Sequence, residues 1–175
     1  MSNHSKAKSI ARGIKLLILD VDGVLTDGGI YFDDNGTEHK KFDSQDGCGI
    51  KLLELCGVEV AIITARSTLS VAHRLETLGV KNYYHGIKDK GEALKELSEK
   101  LSIDLSESAF VGDDVIDLPA MSKVALPIAV ANAHSFVKEN ALMVTNNAGG
   151  SGAVREVCDF LLKSQDKYDD LMQSF

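Results

Sequence analysis

Asp20, Asp22 and Asp27 crowd into the stretch ILDVDGVLTDGG (18–29), directly after an apolar run. Carboxylates placed this way repel one another and are costly to remove from water, so the arrangement calls for positive charge among them. Further polar groups are spaced along the chain: Thr64 and Arg66 in IITAR, Lys88 and Lys90 in HGIKDKGEAL, and Asp113, Asp114 and Asp117 in GDDVID. A divalent cation together with a lysine would neutralise acids drawn from two distant segments. All-oxygen donors with no neighbouring Cys or His suit a hard ion, which makes Mg²⁺ the expected cofactor. A calcium loop of the EF-hand type does not fit. Counted from Asp20, the fifth, sixth and twelfth residues are Val24, Leu25 and Tyr31, where an acid, Gly and Glu are required.

These residues need elements to bring them together, and the chain supplies an alternation. Short β-rich runs at IKLLIL (14–19), VEVAIIT (58–64), NYYHG (82–86), SAFVGD (108–113), ALPIAVA (125–131) and ALMVT (141–145) are separated by helical patterns. The helices are expected over 49–57, 67–79, 90–101, 115–123 and 151–164. Leu94, Leu97 and Leu101 recur at helical spacing, as do Val71, Leu75 and Leu78, and Gly57 and Gly79 stand where glycines end helices. Continuous apolar strands alternating with helices indicate an α/β, doubly wound, three-layer parallel sheet. In such sheets ligands sit beyond the C-terminal strand ends, where all the polar residues above fall. One stretch breaks the pattern: GGIYFDDNGTEHKKFDS (28–44) reads as a protruding β-hairpin about Asn35-Gly36. A two-stranded ribbon is not stable alone and must pack on its own domain or on another subunit.

A chain of 175 residues suits one domain, 1–175, with an ordinary balance of 44% hydrophobic and 26% charged residues. Its net charge of -7 and lack of basic clusters argue against nucleic acid as a partner. Cys48, Cys56 and Cys158 form neither a C-x-x-C pair nor an even set, which fits a reducing, cytoplasmic setting. No apolar stretch approaches the length of a bilayer span, so no membrane insertion is expected. Residues 1–12 read as a polar, frayed start, and 166–175 as a flexible tail.

DVDGVLTD, the Thr of IITAR, the Lys of HGIKDKGEAL and GDDVID resemble, in order and spacing, the four motifs of the haloacid dehalogenase superfamily of phosphatases. The resemblance extends over roughly residues 12–165. It implies a Rossmann-like fold and Mg²⁺-dependent hydrolysis of a phosphate monoester through an aspartyl phosphate. Carried over residue by residue, Asp20 is the nucleophile and Asp22 the acid that protonates the leaving oxygen and then accepts a proton from water. Thr64 holds a phosphate oxygen and Lys90, preferred over Lys88, stabilises the transferred group. The metal is held by Asp20, by the backbone carbonyl of Asp22 and by Asp113, with Asp114 and Asp117 supporting from behind.

Each of these residues has a plainer reading when taken alone. Asp113 and Asp114 could simply cap a helix beginning near Val115, Thr64 could be a helix cap, and Lys90 a solvated helix start. Their joint placement at strand ends is what raises them. His39, His73, His85 and His134 have no metal-ligand spacing. The AGGSG loop (148–152) is either a turn or a site of close backbone approach near a sugar-binding mouth, through Gly149 and Gly150.

Only 42 positions separate Asp22 from Thr64 and 26 separate Thr64 from Lys90, too few for a cap domain once hairpin and helices are placed. The site is therefore expected to lie open, and the resemblance implies a homotetramer in which hairpins pack together and neighbours close each site. The hairpin after the first motif, DGCGIKLLELCGVEVAIITAR (46–66) and AGGSGAVREVCDFLL (148–162) extend the likeness, which implies a sugar-acid phosphate as substrate: an eight-carbon 2-keto-3-deoxy acid bound for lipopolysaccharide. Arg66 is the candidate for its carboxylate, with Asp46, Gly149 and Gly150 at the sugar. Gln45 and Ser151 stand where related chains carry basic residues, which leaves a nine-carbon 2-keto-3-deoxy acid phosphate as the alternative. A phospho-aspartate signalling module is the rival of another class. In that module the acidic pair and the phosphorylated aspartate lie on different strands.

Overall fold

The computed structural model describes residues 3–175. Its centre is a six-stranded, wholly parallel sheet in the order β5-β4-β1-β6-β7-β8, built from β1 (Leu16–Leu19), β4 (Glu59–Ile63), β5 (Asn82–Tyr84), β6 (Ser108–Gly112), β7 (Leu126–Ala129) and β8 (Met143–Val144). All four residues of β1 are fully buried, as a strand covered on both faces must be. Leu17 is aligned with Val60 on one side and Ala109 on the other, so β1 is the strand from which the sheet winds both ways. That reversal opens a crevice at its C-terminal end, immediately before Asp20.

Helices α2 (Ser44–Leu55), α3 (Leu69–Leu78), α4 (Lys90–Leu101), α5 (Leu118–Met121), α6 (Ser135–Asn140) and α7 (Ala153–Ser164) cover the two faces. Each fully buried Leu or Ile contributes roughly 1.5–3 kcal/mol, and the buried apolar residues form one continuous cluster. The expected α/β doubly wound layering is therefore present, and the strands fall where periodicity placed them. The helix expected from residue 49 begins five residues earlier, because Asp43 caps it by accepting from the backbone N–H groups of Gln45 and Asp46.

Both ends of the described chain carry helices. Residues 3–11 are not frayed but form helix α1 (Asn3–Ala11), which buries Ala7 and Ala11 and packs on α7, while Gln165 Nε2 donates to the carbonyls of Ala11 and Ile14 at its end. Two alanines four apart bury a helix face without any strong hydrophobic signal. Residues 1 and 2 of that segment lie outside the described residues. The tail is likewise docked: helix α8 (Tyr168–Gln173) lies on α7 with Tyr168, Leu171 and Met172 partly buried, and the Lys167 ammonium donates to the Cys56 carbonyl at 2.8 Å.

The ribbon is shorter than its sequence suggests. β2 (Tyr31–Phe32) and β3 (Glu38–His39) share two residue pairs, and the Thr26–Phe42 bridge closes its base. Asp33 organises the turn by accepting from the N–H groups of Asn35 and Thr37, and Gly36 takes the left-handed conformation at φ 78°. Ile30, Tyr31 and Phe32 are left exposed.

Candidate active site

Three strand ends meet in the crevice. Asp20 follows β1, Thr64 follows β4, and Asp113 follows β6, while Lys90 enters from the first turn of α4. Lys90 is buried to its tip, and its ammonium bridges Asp20 at 2.8 Å and Asp117 at 2.6 Å. Burial alone would lower its pKa, yet the two carboxylates outweigh that and hold it above the ordinary lysine value. Asp117 does more than anchor Lys90. Its second oxygen accepts from the N–H groups of Asp113 and Asp114, which fixes the turn that presents Asp113.

Carboxylate oxygens of Asp20, Asp113 and Asp117 lie within 4.8 Å of one another. Burial and the nearby Asp117 charge push Asp20 up to about 7, with Lys90 pulling the other way. Burial, then Asp20, Asp117 and Asp114, push Asp113 up to about 7 as well. One ammonium is thus too little charge for this cluster, and the donors are hard oxygens, so the residues present fit Mg²⁺. Asp20 and Asp113 would hold it, together with the Asp22 carbonyl. Gly23, in the left-handed conformation at φ 82°, is required beside them, because a Cβ there would fall on the Asp113 carboxylate.

The loop carrying Asp20 and Asp22 is braced by Thr26, whose hydroxyl oxygen accepts from the Gly23 and Gly28 N–H groups at 3.2 and 3.3 Å. Thr64 is buried, its N–H donating to Tyr84 and its Oγ1 accepting from the Arg66 N–H. Lys88 is exposed, in keeping with the preference for Lys90. Asp114 is exposed and caps its own 3-10 turn, accepting from Val115 at 2.7 Å, as the plainer reading of that residue has it.

The ribbon contributes residues that the sequence reading missed. Lys40 pairs with the Asp22 carboxylate and with Glu38, and Glu38 in turn pairs with Arg66 at 2.7 Å. Glu38 and Lys40 are two apart on an extended arm, so they share one face, which was the available signal. Arg66 therefore stands at the mouth, but already holding an acid of its own chain.

Three residues expected at the sugar make contacts within the chain. Asp46 does not face the crevice. It is buried, and its Oδ1 accepts from the Arg155 N–H at 2.7 Å in the first turn of α7. Burial raises its carboxyl to about 6 against the opposing pull of the Arg155 N–H. Gly149 and Gly150 do permit close backbone approach, but to the chain itself: a Cβ at either would fall on the backbone of the loop from Gly23 to Asp27. Gly150 N–H donates to the Val24 carbonyl at 3.0 Å, clasping the nucleophile loop from behind. Gln45 and Ser151 line, with Arg155, a cavity of about 640 Å³ beside the start of α7 rather than at the carboxylates.

Residues 84–157 match the haloacid dehalogenase-like hydrolase family. Among curated proteins, the 3-deoxy-D-manno-octulosonate 8-phosphate phosphatase KdsC of Salmonella typhi is 50% identical over 170 residues, spanning 97% of this chain and 89% of the relative. That of Escherichia coli K12 is 51% identical over 160 residues, spanning 91% and 85%. Among solved structures, the corresponding phosphatase of Moraxella catarrhalis, in complex with magnesium, phosphate and KDO, superposes with a TM-score of 0.95 at 40% identity, covering 98% of each chain.

Proposed function

The chain belongs to the 3-deoxy-D-manno-octulosonate 8-phosphate phosphatases of the haloacid dehalogenase-like hydrolases, and from that premise we infer how its residues divide the work. It is a hydrolase that converts 3-deoxy-D-manno-octulosonate 8-phosphate to the free sugar acid and phosphate, in lipopolysaccharide biosynthesis, with Mg²⁺ as cofactor. The observation that carries the assignment of roles is the Asp20–Lys90–Asp117 bridge beside Asp113, a set of charges arranged around the end of the central strand.

Asp20 attacks phosphorus, forming the aspartyl phosphate as the bond to the sugar oxygen breaks. Asp22 gives that alkoxide its proton, then takes one from the water that attacks the phosphorus in the second step. Lys90, locked by Asp117, meets the charge on the transferred oxygens without reorganising, and the Thr64 hydroxyl donates to one of them. Asp113 supplies the remaining carboxylate of the metal site and Asp114 supports its turn. When bound, Mg²⁺ supplies the positive charge that lets Asp20 and Asp113 stay ionised beside a phosphate. Arg66 turns from Glu38 to the substrate carboxylate, a role supported by its partly exposed guanidinium.

The domain acts as a single unit, supported by one continuous core. It works as a homotetramer, a reading supported by the exposed Ile30, Tyr31 and Phe32 on a ribbon too short to stand alone. A cytoplasmic location is supported by three unpaired cysteines. Among the described residues no helix is long and apolar enough to cross a membrane. The test is phosphate release from the octulosonate 8-phosphate with and without Mg²⁺. Turnover is expected only with the metal and is lost in Asp20→Asn, and an active Asp20→Asn enzyme refutes the nucleophile.

A further inference from the structure

We propose that Lys40, on the ribbon, is a positioning residue that sets the Asp22 carboxylate for proton transfer, so that the ribbon is part of the chemical apparatus as well as an assembly device. The inference rests on the reading of Asp22 as the acid and base of the reaction. Three observations carry it. The Lys40 side chain is wholly screened from solvent although its neighbours on the ribbon, His39 and Lys41, are about 60% exposed. Its ammonium is shared between Asp22 and Glu38, the first on the nucleophile loop and the second on the ribbon. The arm that carries it is pinned at both ends, by the Phe32–Glu38 pair on one side and the Thr26–Phe42 bridge on the other.

Packing alone does not account for this arrangement. An exposed ion pair would hold the ribbon as well for little desolvation, whereas a screened ammonium between two carboxylates must first give up its hydration. Replacing all three with apolar residues would close the ribbon more tightly. The ammonium instead limits the rotation of one side chain, the one that must lie within hydrogen-bond reach of the leaving oxygen. Without it, Asp22 faces Glu38 as a like charge and swings away. A displacement of about 1 Å at a reacting group costs on the order of a hundredfold in rate. Tyr83, half-buried on β5, is near enough to feel the Asp22 charge, which adds to burial in raising its hydroxyl pKa. Lys40 is therefore the cation that decides which way Asp22 leans.

The experiment compares Lys40→Met and Lys40→Arg with the unaltered full-length enzyme, loaded with Mg²⁺, on two substrates. One is the octulosonate 8-phosphate, whose alkoxide needs a proton. The other is 4-nitrophenyl phosphate, whose leaving group does not. Lys40→Met is expected to lower kcat on the sugar phosphate ten- to hundredfold with KM changed less than threefold. Single-turnover phosphorylation by the aryl phosphate should change less than threefold, and Lys40→Arg should recover most of the loss. An equal loss on both substrates, or no loss, overturns the proposal. Should Lys40→Met not fold, Lys40→Gln, which keeps a polar end between Asp22 and Glu38 but removes the charge, takes its place. The same split between substrates, at smaller size, is expected of it, and an even effect overturns the proposal. An unaltered enzyme inactive on both substrates would instead sink the parent reading of the site.

Discussion

Removing Mg²⁺ from this protein should make its stability and its metal affinity depend on pH in a way that can be worked out from Asp113. Its carboxyl is raised from 3.8 to about 7, first by burial and then by Asp20 and Asp117. At about 1.4 kcal/mol per pKa unit this amounts to on the order of 4 kcal/mol, and roughly half survives once its partial contact with solvent is allowed for. The folded state binds the proton more tightly than the unfolded chain does. The contribution is therefore fully present below pH 3.8 and is lost as the pH rises through about 7, so the metal-free fold weakens across that window. Asp20, also raised to about 7, acts in the same direction. Bound metal displaces those protons. Affinity for Mg²⁺ should rise up to about tenfold per pH unit for each protonated carboxylate below pH 7, then level off. Calorimetric titration with MgCl₂ at pH 5.5 and 8.5, in buffers of different ionisation enthalpy, measures both affinity and proton release. Thermal melts with EDTA or Mg²⁺ measure the stability gap, which should widen with pH. Equal affinity at both pH values, with no proton release at 5.5, refutes the reasoning.

Two further outcomes follow from the packing. Gly149→Ala drives a Cβ into the Gly23 carbonyl and should cost on the order of 3 kcal/mol in chemical denaturation and at least tenfold in kcat; unchanged melting would show that the loop yields freely. Phe32→Asp places charge on the exposed ribbon face, and sizing chromatography should report a smaller species than the unaltered protein, whereas an identical elution volume removes the ribbon from the proposed assembly.

The sheet was legible because a strand covered on both faces must be apolar along its covered length, and LLIL, the VAII of β4 and the AFVG of β6 obey that. The carboxylates and Lys90 were legible because such residues at strand ends have few cheap alternatives. Asp46 was misread for the opposite reason: an acid that caps a helix across 109 positions of chain leaves no local mark. Gly149 and Gly150 announce close approach but not what approaches. Lys40 escaped because the face it shares with Glu38 marks a pair, while HKK alone does not say that this face turns inward. Helix α1 escaped because two alanines, rather than any large residue, make its contact.

The clasp between Gly149-Gly150 and the Gly23–Asp27 loop joins segments more than a hundred residues apart. Closing so long a loop is a late event entropically, since distant contacts are rewarded only after intervening chain has been ordered. While the polypeptide is still emerging from the ribosome, its first aspartates are therefore exposed on an unsupported turn, unable to grip a cation or attack anything. Catalytic competence is expected only once residues 149 and 150 are in place, and a fragment ending before residue 149 is expected to be inert however much of the sheet it forms.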